Sequence, residues 1–286
     1  MGKQFEHQTT IVGIAGTSNE DAYLLANLYQ EPLDPEEIFS VVGRLSHRPL
    51  EQGTVIYDTE TWLTSMDRSN EGSLFTVSAE GELHFLKQGK WSVLDLNCPD
   101  GLNAVWAAAN NKVFAVGSKG ERVQITDNSI NLTKDSMERC LNAVHGISAK
   151  NVFAVGDEGL IFIYDGIAWK ELETVTNCSL LDVLCLSENE VYIGGDNGVL
   201  LRWNGKELNW LESPKITITS LAWYQGKLYA AAGQEGVYVL GSNGLEEFKD
   251  LTIDILETID DLLFGVAGKF VVQFNGSEWW GGDLDL

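Results

Sequence analysis

The side chains best able to do nucleophilic or metal chemistry in this 286-residue chain are four histidines and four cysteines. The histidines are His7, His47, His84 and His145, and the cysteines are Cys98, Cys140, Cys178 and Cys185. They form no HxH, HExxH or CxxC spacing, so no metal set is ready-made. A thiol beside an imidazole can be an activated nucleophile. His145 and Cys185 fall at related places in the repeat described below, but no third member is evident. GxSxG elbows, P-loops and dinucleotide fingerprints are absent. Carboxylates could hold calcium, but no DxDxDG-type run occurs. The expectation is a protein that is not an enzyme, with no catalytic residue, no metal ion and no cofactor.

Charge points elsewhere. The chain has 42 acidic and 19 basic side chains, for a net charge of −23. Such a surface repels nucleic acid and anionic lipid and attracts basic partners. No apolar run of about 18 residues exists to cross a membrane. The start, MGKQFEHQTT, lacks the apolar core of a secretion signal. Together with the absence of disulfide-type cysteine spacing, this makes the cytoplasm the expected location. A hydrophobic content of 44% is ample for a globular core.

The elements that would position any site are announced by repetition. LNAVWAAANNKVFAVGSKG, from Leu102, returns thirty-nine residues later as LNAVHGISAKNVFAVGDEG, from Leu141. The apolar anchor Val152-Phe153-Ala154-Val155-Gly156 has counterparts at Ala22, Leu74, Val113, Val191, Leu228 and Leu263. A second apolar run precedes each anchor, near positions 11, 63, 102, 141, 181, 218 and 256. After each anchor come a tight turn, an alternating run such as Leu160–Tyr164, a second turn such as Asp165-Gly166, and a fourth short run. Gly, Asp and Asn dominate the turns because they tolerate positive φ. Four short strands per unit of about forty residues, seven times over, predict an all-β fold: a seven-bladed β-propeller with four antiparallel strands per blade. Residues 1–286 would form one domain, with an inserted acidic loop at 29–37 and a loose tail at 281–286.

The pattern LxAV…VFAVGxxGxIxxYDGxxW, best in Leu102 to Trp169, resembles the divergent propeller repeats of bacterial BNR-like and YCF48-like proteins. The WD40 and kelch signatures are missing. Asp165-Gly166-Ile167-Ala168-Trp169 only shadows the sialidase Asp-box, being one residue short and lacking the leading Ser. The resemblance implies the fold and, from the YCF48-like side, an assembly-factor role, while leaving function open.

In a propeller, strand A lines the axis and strand D lies outermost. The B–C turns and D–A connections then share one face, the upper one here. Five B–C turns bring carboxylates to that face: Glu80, Asp157 with Glu158, Asp196, Glu235, and the blade 1 insertion with Glu31, Asp34, Glu36 and Glu37. Tyr29 and Leu33 would add apolar anchors. Blade 3 differs, with Ser118-Lys119. The strand A starts, such as Leu63, Leu102, Leu141 and Leu181, are apolar, which argues against a polar catalytic throat. The expected function is non-catalytic binding of a basic protein partner by an acidic face, most specifically as a cytoplasmic bacterial immunity protein that blocks a toxin domain. An assembly scaffold is the alternative of the same class; a sugar-binding or hydrolytic propeller using its central depression is the alternative of another. The free protein is expected to be monomeric.

Overall fold

A computed structural model describes residues 8–18, 20–29, 38–45, 53–127, 129–134 and 138–284. These residues form seven four-stranded sheets, each a simple antiparallel meander, arranged as a seven-bladed β-propeller. Blade 4 shows the plan. Strand A is Leu141–Ser148, B is Asn151–Gly156, C is Ile161–Tyr164 and D is Trp169–Glu171.

The apolar anchor of the repeat is strand B. Its residues Val152 to Val155 are at most 1% exposed, because a central strand of a blade is covered on both sheet faces by neighbouring blades. The outer strand faces water and reads as polar. Every apolar core is therefore shared between two blades. Phe114 and Val116 of blade 3 pack with Leu141 and Val152 of blade 4. Phe153 and Val155 of blade 4 pack with Leu180 and Val191 of blade 5. Seven such clusters occur, one at each junction of the ring. Trp91, Trp169 and Trp279, just past three C–D turns, pad these cores.

Polar links repeat at three successive junctions. Strand A spends one edge on strand B and leaves the other toward the next blade's strand A. Thr64 Oγ1 donates to Leu102 O at 2.7 Å, Asn103 Nδ2 to Leu141 O at 2.8 Å, and Asn142 Nδ2 to Leu180 O at 3.0 Å. Each spans 38 residues, so the period of the sequence is also the period of the cross-links.

The ring closes without a shared blade. Blade 1 opens with Gln8–Ser18, and blade 7 ends with Trp279–Asp283 as its own outer strand. The amide of Ile11 donates to Gly268 O at 2.7 Å across the seam. Leu284 is 4% exposed in the core shared by blades 7 and 1, and its amide donates to Lys269 O at 2.9 Å. In place of the loose segment expected at 281–286, residues 281–283 pair with Phe270–Val272 of their own blade and the Leu284 side chain packs against blade 1, while the last two residues lie outside the described ones.

The B–C turn of blade 4, Gly156-Asp157-Glu158-Gly159, stitches both adjoining connections. Asp157 N donates to Cys140 O at 3.0 Å and Gly159 N to Cys178 O at 2.9 Å. A Cβ on Gly156 would lie 2.0 Å from Cys140 O, so only glycine fits. Glu158 is held at φ 56°, where Asn197 stands in blade 5 at φ 57°. Side chains other than Gly and Asn adopt this region at a cost. Substitutions two residues apart should therefore act in opposite directions. Glu158→Asn is expected to raise unfolding free energy by about 0.5–1 kcal/mol, and Gly156→Ala to lower it by about 3 kcal/mol. Urea unfolding of the two variants measures both signs.

Candidate functional site

Hydrogen bonds from the B–C turns to the D–A connections put both sets of loops on one face. Ala79 N reaches Trp62 O, Ser118 N reaches Gly101 O, Asp196 N reaches Ser179 O, and Gly233 N reaches Ile253 O. On this face Glu80, Glu158 and Glu235 are exposed. They take part in no ion pair among the described residues. Asp157 and Asp196 are only partly exposed and are engaged: Asn142 Nδ2 donates to Asp157 Oδ1 at 3.1 Å, and Thr217 Oγ1 to Asp196 Oδ1 at 3.2 Å. Those two carboxylates help hold the turns. Tyr29 ends strand B of blade 1 (Asp21–Tyr29), its ring 6.0 Å from that of Trp62. Glu31, Leu33, Asp34, Glu36 and Glu37 lie outside the described residues.

The D–A connections add exposed Glu60, Glu138, Glu173, Glu212, Asp250 and Asp254. Blade 3 is the neutralised sector. Lys119 Nζ pairs with Asp100 at 2.9 Å, and Lys134 pairs with the fully buried Glu121.

The axis holds what the sequence did not announce. Seven inner strands enclose a cavity of about 570 Å³, walled by residues that include His145, Asp182, Leu221 and Glu257. The strand A starts are apolar, but carboxylates follow one to four residues further in. Asp67 Oδ2 accepts the Ala107 amide at 2.6 Å, and Asp182 Oδ2 accepts the Leu221 amide at 2.6 Å. Register places Glu257, opposite Phe264, in blade 7 where Asp67, opposite Phe75, stands in blade 2. Burial pushes Asp67 and Asp182 up to about 6. Burial, then repulsion from Asp67 and Asp182, pushes Glu257 up to about 8. Glu257 does meet solvent, but that solvent is hemmed in by the ring, so its anion is poorly hydrated.

His145 and Cys185 do come together. The Cys185 amide donates to His145 Nδ1 at 3.0 Å, and Cys185 Sγ donates to His145 O at 3.4 Å. Burial pushes the imidazole down to about 4 and raises the thiol. A neutral ring whose acceptor nitrogen is spent on a backbone amide, beside a protonated thiol, is a cross-link between blades 4 and 5 and no nucleophilic pair. His84 is equally structural: it is 2% exposed and joined to Tyr57 Oη at 2.8 Å and Glu82 Oε2 at 3.0 Å. His7 and His47 lie outside the described residues. Among the described residues no group of three His, Cys, Asp or Glu is arranged to hold a metal.

Known proteins bear on this geometry in two ways. The chain is 33% identical over 131 residues to a curated protein of Pseudomonas aeruginosa named immune protein Tsi7. That match covers 43% of this chain and 42% of that protein, so the chain spans less than half of its relative. Among solved structures, virginiamycin B lyase from Staphylococcus aureus superposes with a TM-score of 0.69 at 13% identity, covering 93% of this chain and 97% of the lyase. Sqt1 of Chaetomium thermophilum, bound to the N-terminus of ribosomal protein L10, also gives 0.69 at 13% identity, covering 96% of this chain and 88% of Sqt1. Identities this low show the propeller fold alone. No family model matches the chain; of the likeness to BNR-like and YCF48-like repeats, the seven-bladed propeller is what the structure and its neighbours show.

The axial carboxylates have a consequence for stability. An acid whose pKa is raised in the folded state binds protons more tightly there than in the unfolded chain. Its stabilisation is full below the unfolded value and is lost as pH rises through the folded one. The window for Glu257 runs from about 4.5 to about 8. His145, lowered when folded, acts oppositely and loses stability only as pH falls from 6.5 toward about 4. Thermal melting from pH 6.5 to 8.5 is expected to show a declining midpoint for the native protein and a flatter profile for Glu257→Gln.

Proposed function

We propose that this chain is a non-catalytic, protein-binding propeller of the immunity type, which uses its upper face to cover a basic toxin domain in the cytoplasm. The observation that carries the reading is the trio of exposed carboxylates, Glu80, Glu158 and Glu235, on turns of blades 2, 4 and 6, without ion-pair partners among the described residues. Turns locked by backbone hydrogen bonds present charge with little ordering cost. Arrayed carboxylates in a chain of net charge −23 would steer a basic partner and speed encounter. The similarity to a protein named for immunity supports the class of partner. Glu31, Asp34, Glu36 and Glu37 would extend the same field.

The assembly-scaffold reading, which the resemblance to YCF48-like repeats implies, uses the same physics. Partner identity separates the two. The lyase likeness does not extend to chemistry by itself, since one fold serves many functions. Asp67 and Asp182 already have a structural task in accepting inter-blade amides.

The test is co-expression with a basic toxin domain, sought first in the gene neighbouring this chain's own, read as growth. Protection is expected from the native protein and loss of protection from Glu80→Lys/Glu158→Lys/Glu235→Lys. With purified components the triple reversal should weaken binding by about tenfold or more, and binding should weaken steeply with added salt. Full protection by the triple variant would sink the reading.

A further inference from the structure

The protein's aromatic residues are almost all consumed by packing. Of nine tryptophans, all but Trp62 and Trp210 pad an inter-blade core. Of eight tyrosines, Tyr29 alone stands outside those clusters. Trp210 lies on the outer strand of blade 5 (Leu208–Trp210). Tyr29 and Trp62 instead face one another on the upper face, at the junction of blades 1 and 2, with ring centroids 6.0 Å apart and planes 36° apart.

Both rings are partly exposed and both are fixed from behind. Tyr29 closes strand B of blade 1 opposite Gln8, and its Oη lies 3.4 Å from Thr10 Oγ1. Trp62 sits in the short connection into blade 2, where its carbonyl accepts the Ala79 amide at 2.9 Å. The same two segments carry the exposed carboxylates Glu60 and Glu80, and neither 60–62 nor 79–81 contains a lysine or arginine. Among the described residues neither ring belongs to an inter-blade core, and both are partly exposed on the face that the reading above assigns to a partner.

We propose that Tyr29 and Trp62 are the anchor of that face, receiving an arginine side chain of the partner protein. A guanidinium stacks on indole and phenol faces through the ring quadrupole while its fork of N–H donors reaches flanking carboxylates. Glu60 and Glu80 supply that second half. Rigid aromatic anchors rimmed by charge are also where binding energy concentrates in protein interfaces. A sugar would use the rings but would leave two carboxylates without a cation, so arginine is the better match. The proposal rests on the protein-binding reading and adds where the contact is made and by which chemistry.

The experiment needs no toxin. The full chain is labelled with 5-fluorotryptophan, Trp62 is assigned by Trp62→Phe, and fluorine NMR follows a titration with hexa-arginine. The Trp62 resonance is expected to move saturably while Trp210 stays in place, and hexa-lysine should act more weakly. Tyr29→Ala should weaken the response by about fivefold, with the remaining tryptophan resonances reporting that the fold is intact. Glu60→Gln/Glu80→Gln, two surface changes, should weaken it by a similar factor. An unmoved Trp62, equal shifts of Trp62 and Trp210, or a response to chitohexaose in place of hexa-arginine would overturn the proposal. If Trp62 fails to respond while growth protection by the native protein holds, the anchor is wrong and the immunity reading stands.

Discussion

A propeller must satisfy the free edge of every innermost strand. Strand A pairs with strand B on one side, but its other edge faces a strand in the next blade that splays away too quickly for a backbone ladder. Unmet amides and carbonyls near an axis are expensive. In this chain side chains bridge the gap. Thr64, Asn103 and Asn142 donate to carbonyls, and Asp67, His145 and Asp182 accept amides 40, 40 and 39 residues further on. The apolar junctions on either side depend on this spacing, because the same residues set how close two blades can come. It also explains why carboxylates are tolerated in a poorly solvated centre: two of the three are inter-blade acceptors first and charges second.

How much of this could be read without coordinates follows from what repeats. The anchor Val152 to Gly156 and its sisters are buried on both faces in every blade, so their apolar character recurs and counts the blades. Asp67, Asp182 and Glu257 are departures from the repeat. In register with Asp67 stand Trp106 and His145, so no common residue marks the position. Their partners are backbone amides in the next unit, which carry no sequence signature at all. Asp157 and Asp196 mislead in the opposite way. An acid in a turn reads as free charge, yet a nearby side chain can claim it, as Asn142 at the start of strand A and Thr217 in a D–A connection do. Leu284 looked loose because its fate is decided by Ile11 and Leu24, at the far end of the chain.

The comparison with a lyase and with a protein bound to a ribosomal segment shows how little the ring itself decides. What distinguishes this chain is carried by its turns. Their backbones are fixed by short hydrogen bonds to neighbouring connections, so a side chain at a turn tip is presented on a frame that does not have to reorganise. On the reading proposed here, that economy would let a modest set of carboxylates and two aromatic rings define a binding face on a scaffold whose interior is otherwise generic.

The seam between blades 7 and 1 differs in kind from closures in which one blade borrows a strand from the other end of the chain. Here each blade is built wholly from contiguous sequence, and the junction is one more apolar interface sealed by the Ile11–Gly268 hydrogen bond and by Leu284. The order of blades is therefore a property of the ring, and where the chain begins is nearly incidental to it. A polypeptide cut at any D–A connection and rejoined across the old termini would keep all seven meanders and all seven interfaces, so the architecture is topologically indifferent to its own starting point.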